Sequence, residues 1–312
     1  MNPTYSIIAP VFNEKDCLDV LYTRVSEVMD GYGEPWELVL IDDGSTDGST
    51  EIMRRLSDKD NRIRCIYFAR NFGHQIAVSA GMDHALGDAV VVIDADLQDP
   101  PHVILDLIRK WKEGYEVVYA VRKERDGESW FKKTTASLFY RLIDKIADVR
   151  IPLDTGDFRL YDRKVINVMK QMPEKHRFLR GMSSWIGFKQ IGVEYHREER
   201  YAGTSHYPLK KMLKLALTAI TGFSTVPLQL AIWAGCFFSG IAVIAYIINL
   251  FTHGGQGATI SVFFMGGIIL IFLGIIGEYI GRIYEESKNR PLYITREISK
   301  SVYDKTDDNQ NN

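Results

Sequence analysis

Asp94 and Asp96, set at the end of an apolar run and followed at once by Gln98, Asp99, Pro100 and Pro101, are the residues best placed to do chemistry. Val90-Val91-Val92-Ile93 is a β-branched run, the composition of a strand buried on both faces. Residues two apart share a face of an extended chain, so both carboxylates are predicted to point the same way, with Ala95 turned aside. They repel each other unless a cation lies between them. Hard divalent ions take one or two such carboxylates plus phosphate oxygens, and Gln98 adds a neutral oxygen. The alternative is an acidic loop that only caps a strand and a helix. Pro100 and Pro101 end the strand and suit a helix's first turn.

Other segments deliver polar groups in the same manner. Ser6–Val11 reads as a strand, followed by Phe12-Asn13-Glu14 and an amphipathic helix from about Asp16. Glu37–Asp43 is a second buried strand ending in acids, and Gly44–Ser49 makes a turn able to cap the next helix. Ile63–Ala69 leads into Arg70-Asn71-Phe72-Gly73-His74 and an Ala-rich helix; Val117–Val121 ends in Arg122. This alternation predicts an α/β domain with a mostly parallel sheet and helices on both faces. Pro10, Asp42, Gly73, Asp94, Asp96 and Arg122 then gather at one sheet edge, where such folds bind ligands. Acids there hold ribose hydroxyls, base edges or a metal; glycine admits a close backbone and arginine faces phosphate. A nucleotide diphosphate bridged by a metal accounts for the whole set. Gly44–Ser49 lacks the Gly-Lys-Ser/Thr ending of a Walker loop, and no GxGxxG follows the first strand.

Further along, Lys132 and Lys133 lie beside Trp130 and Phe131, as a solvated basic turn or a phosphate-facing cluster. Asp154-Thr155-Gly156-Asp157-Phe158-Arg159 reads as a site loop, with a structural salt bridge as the alternative. Arg197, Arg200, Gly203, Ser205 and Tyr207 form a polar loop. The formal net charge of −2 offers no basic character for nucleic acid. Cys17, Cys65 and Cys236 are widely spaced, which fits a reducing compartment and argues against zinc or a disulfide framework. The start of the chain shows no basic-then-apolar leader, and Tyr5–Val11 reads as the first strand instead.

The composition changes beyond about residue 207. Leu228–Phe251 and Ile260–Gly277 contain no charged residue. At about 1.5 Å per residue the first reaches roughly 36 Å, enough for a hydrocarbon core of about 30 Å. Lys210, Lys211 and Lys214 precede the first run, Arg282, Lys288 and Arg290 follow the second, and the Gly-rich connection has neither Lys nor Arg. The positive-inside rule therefore places both termini in the cytoplasm. Glu278 is expected to pair with Arg282 one turn on. The organisation predicted is a soluble domain over 1–207, an interfacial amphipathic helix over 208–225 and a hairpin over 226–284 with spans near 228–251 and 260–281. A cytoplasmic tail follows over 285–312, disordered after Tyr303.

Pro10-Val11-Phe12-Asn13-Glu14, Asp42-Asp43-Gly44-Ser45, Arg70-Asn71-Phe72-Gly73, Asp94-Ala95-Asp96-Leu97-Gln98-Asp99-Pro100, Thr155-Gly156-Asp157-Phe158-Arg159 and Gly277-Glu278-Tyr279-Ile280-Gly281-Arg282 resemble one group of proteins. The chain is similar over nearly its whole length to family 2 glycosyltransferases of GT-A (nucleotide-diphospho-sugar transferase) fold. Within them it resembles the bactoprenol glucosyltransferase (GtrB-type) branch of polyprenyl-phosphate glycosyltransferases, relatives of dolichol-phosphate mannose synthase. The resemblance implies that Pro10, Phe12, Asn13, Glu14, Asp42, Gly73 and Asp94 bind the nucleotide, and that Asp94, Asp96 and Gln98 hold Mg²⁺ or Mn²⁺. It assigns Arg122, Lys132, Lys133, Arg159, Arg200, Ser205 and Tyr207 to the acceptor phosphate and diphosphate. Asp157, with Asp96 and Arg122, would be catalytic, Asp157 either as base or as an orienting group. Mannose synthases show Ser-Gly-Phe where this chain has Thr155-Gly156-Asp157-Phe158, and Lys replaces Arg near position 132.

The reaction implied is inverting transfer of glucose from UDP-glucose to undecaprenyl phosphate at the cytoplasmic face of the inner membrane. UDP-N-acetylglucosamine, UDP-galactose and GDP-mannose follow as donors. A homotetramer is implied too, together with a separate flippase, since two spans make no pore, and a downstream glycosyltransferase. Rival readings are a processive polysaccharide synthase, whose Gln-x-x-Arg-Trp motif is absent here, and a nucleotide-sugar sensor without turnover.

Overall fold

The computed structural model describes residues 2–123, 155–198, 226–252 and 257–304. They belong to two units, one built on a sheet and including the segment after Arg290, the other lying within 208–290.

The first unit has eight strands: β1 (Tyr5–Val11), β2 (Trp36–Asp42), β3 (Ile63–Phe68), β4 (Ala89–Val92), β5 (Val117–Arg122), β6 (Thr155–Asp162), β7 (Gln190–Tyr195) and β8 (Thr295–Ile298). Its helices are α1 (Leu18–Tyr32), α2 (Ser49–Lys59), α3 (His74–His84), α4 (Val103–Lys112), α5 (Arg163–Gln171) and α6 (Leu179–Trp185). The sheet order is β7-β5-β6-β4-β1-β2-β3-β8. β4, β1, β2 and β3 run parallel, as the βα alternation predicts. The apolar runs read as buried strands are buried: Ile7, Ile8, Leu38, Val39, Val90 and Val91 have no exposed surface. Each such side chain stabilises the fold by about 1.5–3 kcal/mol. Pro100 and Pro101 open the turn before α4, their carbonyls accepting from Val103 and Ile104 N–H.

Two elements depart from the sequence reading. Residues 155–159, read as a loop, begin β6, which enters antiparallel between β4 and β5. Its first three residues, Thr155-Gly156-Asp157, carry no large apolar side chain, and Arg159 is buried among the rest, so periodicity gives little strand signal there. The second departure is in the tail. Residues 295–298 form β8, antiparallel to β3, and Tyr303 donates to the Trp36 carbonyl at 3.1 Å. A polar, exposed edge strand looks like a tail in sequence because its ladder bonds are made by backbone, not by apolar side chains.

The second unit contains α7 (Val226–Thr252) and α8 (Gly257–Ser287). Among the described residues, Met265–Ser287 is long and apolar enough to cross a membrane. Ile269, Leu270, Ile271 and Leu273 are each more than half exposed. The expected pair forms, Arg282 Nε to Glu278 Oε1 at 3.1 Å. Lys132, Lys133, Arg200, Ser205, Tyr207, the 208–225 helix and the tail after 304 lie outside the described residues.

Candidate active site

The central carboxylates come from a turn, which corrects the expectation of a continuing strand. The β1–β4 ladder ends at Ile8 opposite Val92. Ile93 N–H still donates to the Ile8 carbonyl, and then Leu97 takes a left-handed φ of +61°. A buried leucine in that conformation costs on the order of 1–3 kcal/mol, a cost typical of functional turns. The turn keeps the two acids as neighbours without strand alternation. Asp96 is buried, and its Oδ1 accepts from Gln98 N–H at 3.1 Å. Asp94 Oδ1 is buried with no hydrogen-bond partner among the described residues, and His74 Nε2 lies 3.6 Å away. Burial raises the Asp94 carboxyl; His74 opposes the rise, and the charges of Asp157 and Asp96 add to it.

An orphaned carboxylate oxygen beside a second carboxylate fits a hard divalent cation. No cluster of three or more His, Cys, Asp or Glu able to hold a metal occurs among the described residues. Gln98 stands beside the pair, half-buried, its backbone carbonyl accepting from Glu198 N–H at 2.9 Å.

Asp157, on β6, faces a set of donors that the sequence reading did not single out. Its Oδ1 accepts from Arg180 Nε at 2.8 Å; its Oδ2 accepts from Gln75 Nε2 at 2.8 Å and lies 3.2 Å from His74 Nε2. Burial alone would raise this carboxyl, yet Arg180 and His74 hold it well below the usual carboxylate range. Burial likewise lowers His74, and the two carboxylates more than reverse this, bringing it to about 9. His74 thus stands between Asp94 and Asp157 as a shared cation. Gln75 Oε1 also accepts from Leu179 N–H at 3.1 Å, fixing α6 and hence Arg180. His74 and Gln75 open α3 directly after Gly73, so their signal in the sequence is adjacency to that glycine. Arg180 lies far along the chain with no spacing signal.

Arg122 closes another side. A Cβ at Gly156 would meet its Nη2 at 2.8 Å, so the guanidinium lies across that glycine. Its Nε is buried with no hydrogen-bond partner among the described residues. Asp99 is fully buried and accepts from the Tyr195 hydroxyl, while Arg197 Nε sits 3.6 Å from it and Arg197 Nη2 sits 4.0 Å from Asp96.

The remaining predicted residues shape two facing turns. Asn13 takes a φ of +59°, and its Oδ1 accepts from Thr46 N–H at 2.8 Å. Asn13, Glu14 and Lys15 N–H groups donate to Ser45, Ser49 and Asp47 side chains. Pro10 is buried in β1, and Phe12 is 47% exposed beside that turn. Asp42 is buried, accepting from Ser45 N–H and the Thr50 hydroxyl. Its neighbour Asp43, given no role in the sequence reading, accepts from Phe72 and Gly73 N–H at 2.6 and 2.9 Å. Gly44 is needed where these turns meet: φ is +75°, and a Cβ would lie 2.8 Å from the backbone of Arg70 and Asn71.

Arg159 does not join the acceptor set. It is fully buried, donating to Gly156 O at 3.3 Å, Ser183 Oγ at 3.1 Å and Thr155 Oγ1 at 2.9 Å. Its guanidinium is therefore a strut between β6 and α6. Arg159→Met should lower stability by about 2 kcal/mol, through acceptors left unpaired in the interior. Thermal melts should show this loss, while KM for a lipid acceptor stays unchanged in the folded fraction. A raised acceptor KM with an unchanged melt would return Arg159 to the acceptor set.

A sheet of this order, with acids and an arginine at its strand ends, is the GT-A fold of a sugar transferase. The chain belongs to glycosyl transferase family 2, whose profile matches residues 6–169, and it is a glycosyltransferase. A GtrB C-terminal hairpin profile matches residues 226–283. The chain is 55% identical to the uncharacterized glycosyltransferase YkcC of Bacillus subtilis, over 94% of this chain and 93% of that one. It is 42% identical to the bactoprenol glucosyl transferase of Shigella phage SfV, over 93% of this chain and 97% of that one. Among solved structures, mannosyl-3-phosphoglycerate synthase from Rubrobacter xylanophilus aligns over 70% of this chain and 72% of its own, with a TM-score of 0.47 and 16% identity.

Proposed function

We propose that this protein transfers glucose from UDP-glucose to undecaprenyl phosphate at the cytoplasmic face of the membrane, with inversion at the anomeric carbon. The observation that carries the proposal is the constellation of Asp94, Asp96, His74, Asp157 and Arg180 at the sheet edge. Near-full-length similarity to bactoprenol glucosyl transferases supports the lipid acceptor.

A phosphate oxygen of the acceptor attacks the anomeric carbon, the carbon–oxygen bond to the diphosphate breaks, and UDP departs. A phosphate monoester has a second pKa of about 6, so the nucleophile is mostly dianionic at neutral pH and needs no strong base. Both oxygens of Asp157 are already engaged and its carboxyl is acidic. This favours an orienting role over that of a base, with Arg180 and His74 fixing the carboxylate toward the sugar or acceptor. Mg²⁺ or Mn²⁺ bound by Asp94 and Asp96, with Gln98, would neutralise charge on the leaving diphosphate. Arg122 meets phosphate oxygens, and Lys132, Lys133, Arg200, Ser205 and Tyr207 complete that set. The turns at 10–14 and 42–49 hold the nucleoside. The hairpin over 226–283 crosses the membrane twice and keeps both termini cytoplasmic, in reach of the lipid phosphate. By the same resemblance the protein is a homotetramer that hands its product to a flippase and a downstream transferase.

Purified full-length protein should be incubated with undecaprenyl phosphate and a panel of labelled sugar nucleotides. The expected product is a lipid carrying one glucose, formed fastest from UDP-glucose. A polymer, or lipid left unlabelled by every donor, would overturn the proposal.

A further inference from the structure

The segment that follows α8 does more than extend the sheet. Ser299 exchanges hydrogen bonds with Cys65, and Glu297 takes a bidentate pair from Arg54 at 2.9 and 2.6 Å. At its near end, the Ile294 carbonyl accepts from Ala69 N–H at 2.9 Å, where β3 gives way to the 69–73 turn. Tyr293 then lies against that turn. Its ring stacks on Phe68, with centroids 5.2 Å apart and planes 18° from parallel. Phe68 in turn meets Phe72 edge-on at 5.4 Å. The Tyr293 hydroxyl donates to Asp83 Oδ2 at 3.0 Å, at the last turn of α3.

One side chain thus grips both ends of the unit that opens on His74 and Gln75. Through Phe68 and Phe72 it supports the start of α3, and through Asp83 it holds the end. Between these points, Phe72 and Gly73 N–H groups bind Asp43, and His74 and Gln75 meet Asp157. These contacts are 2.6 to 3.2 Å long, and a misplacement of about 1 Å in such groups costs roughly 100-fold.

We propose that Tyr293 is a positioning residue for the sugar-nucleotide site, setting the 69–75 turn from a segment remote in sequence. The inference rests on the proposed function, since it takes the site to bind a nucleoside diphosphate sugar. The ring supplies the larger part: an aromatic stack holds a turn by shape, and the hydroxyl adds one exposed hydrogen bond.

The test compares Tyr293→Ala, Tyr293→Phe and Ser299→Ala in the full-length protein. It reads UDP affinity by calorimetry with Mn²⁺ present, KM and kcat for the sugar nucleotide, and the melting midpoint. Ser299→Ala weakens the same strap away from the turn. Tyr293→Ala should weaken UDP binding and raise KM by about 10-fold. Tyr293→Phe should recover most of that loss, and Ser299→Ala should lower the melting midpoint with KM unchanged. If Tyr293→Ala does not fold, Tyr293→Leu keeps bulk without the stack and should show the same rise in KM. The inference is overturned if the Tyr293 variants lose only thermal stability, or shift KM no more than Ser299→Ala. Wild-type protein that binds no UDP would instead sink the proposed function.

Discussion

Asp157→Asn should fold and lose about 10³-fold in transfer rate, the scale of removing a preorganised charged group from a reaction centre. The substitution keeps shape and removes charge. Arg180 Nε and Gln75 Nε2 both donate to this carboxylate, so an amide NH₂ must face one of them donor to donor. Either the amide or its partner turns away. His74 also loses one of the two carboxylates that keep it cationic, and it falls from about 9 toward its ordinary value. The measurement is single-turnover transfer of labelled glucose to undecaprenyl phosphate, beside a melt confirming the fold. Activity within about 10-fold of wild type would show that Asp157 is only a structural anchor.

The second large effect is expected at the acidic turn. Asp96→Ala should reduce transfer by about 10²–10³-fold. Asp94→Asn should be similarly inactive and yet more stable. The sign follows from the carboxyl being raised by burial in the fold: ionised Asp94 costs stability at neutral pH, and the cost fades as pH falls through its raised pKa. A neutral amide of the same shape carries none of that cost. A higher melting midpoint, paired with lost transfer, is the pattern expected of a site kept against stability. Asp94→Asn that melts lower than wild type would show that His74 holds the acid as an ordinary ion pair.

The fold was legible wherever a strand buried both faces. Val39, Ile66 and Val90–Val92 announce themselves by β-branched runs, and the helices between them by alternation along the chain. The candidate site was legible where polar groups stand at the ends of those runs: Asp94, Asp96, Arg122 and the 10–14 turn. β6 was missed because its early residues are chosen for contacts. Gly156 makes room for Arg122 and Arg159 fills the interior, so neither leaves a periodic mark. Arg159 looks like a ligand for the same reason: an arginine near an acid reads alike in sequence whether it faces phosphate or Ser183. Arg180 could not be read at all, because only the return of α6 to the sheet edge brings it to Asp157. β8 and Tyr293 escaped for a related reason, since long-range backbone pairing has no local signature.

The most direct measurement is calorimetric titration of UDP into full-length protein, in EDTA and then in Mg²⁺ or Mn²⁺. Binding should be strong with the ion, weaker by about 100-fold in EDTA, and insensitive to the ion in Asp96→Ala. Equal affinity with and without a divalent ion, or no UDP binding in either, would contradict a site in which Asp94 and Asp96 hold a metal against the diphosphate.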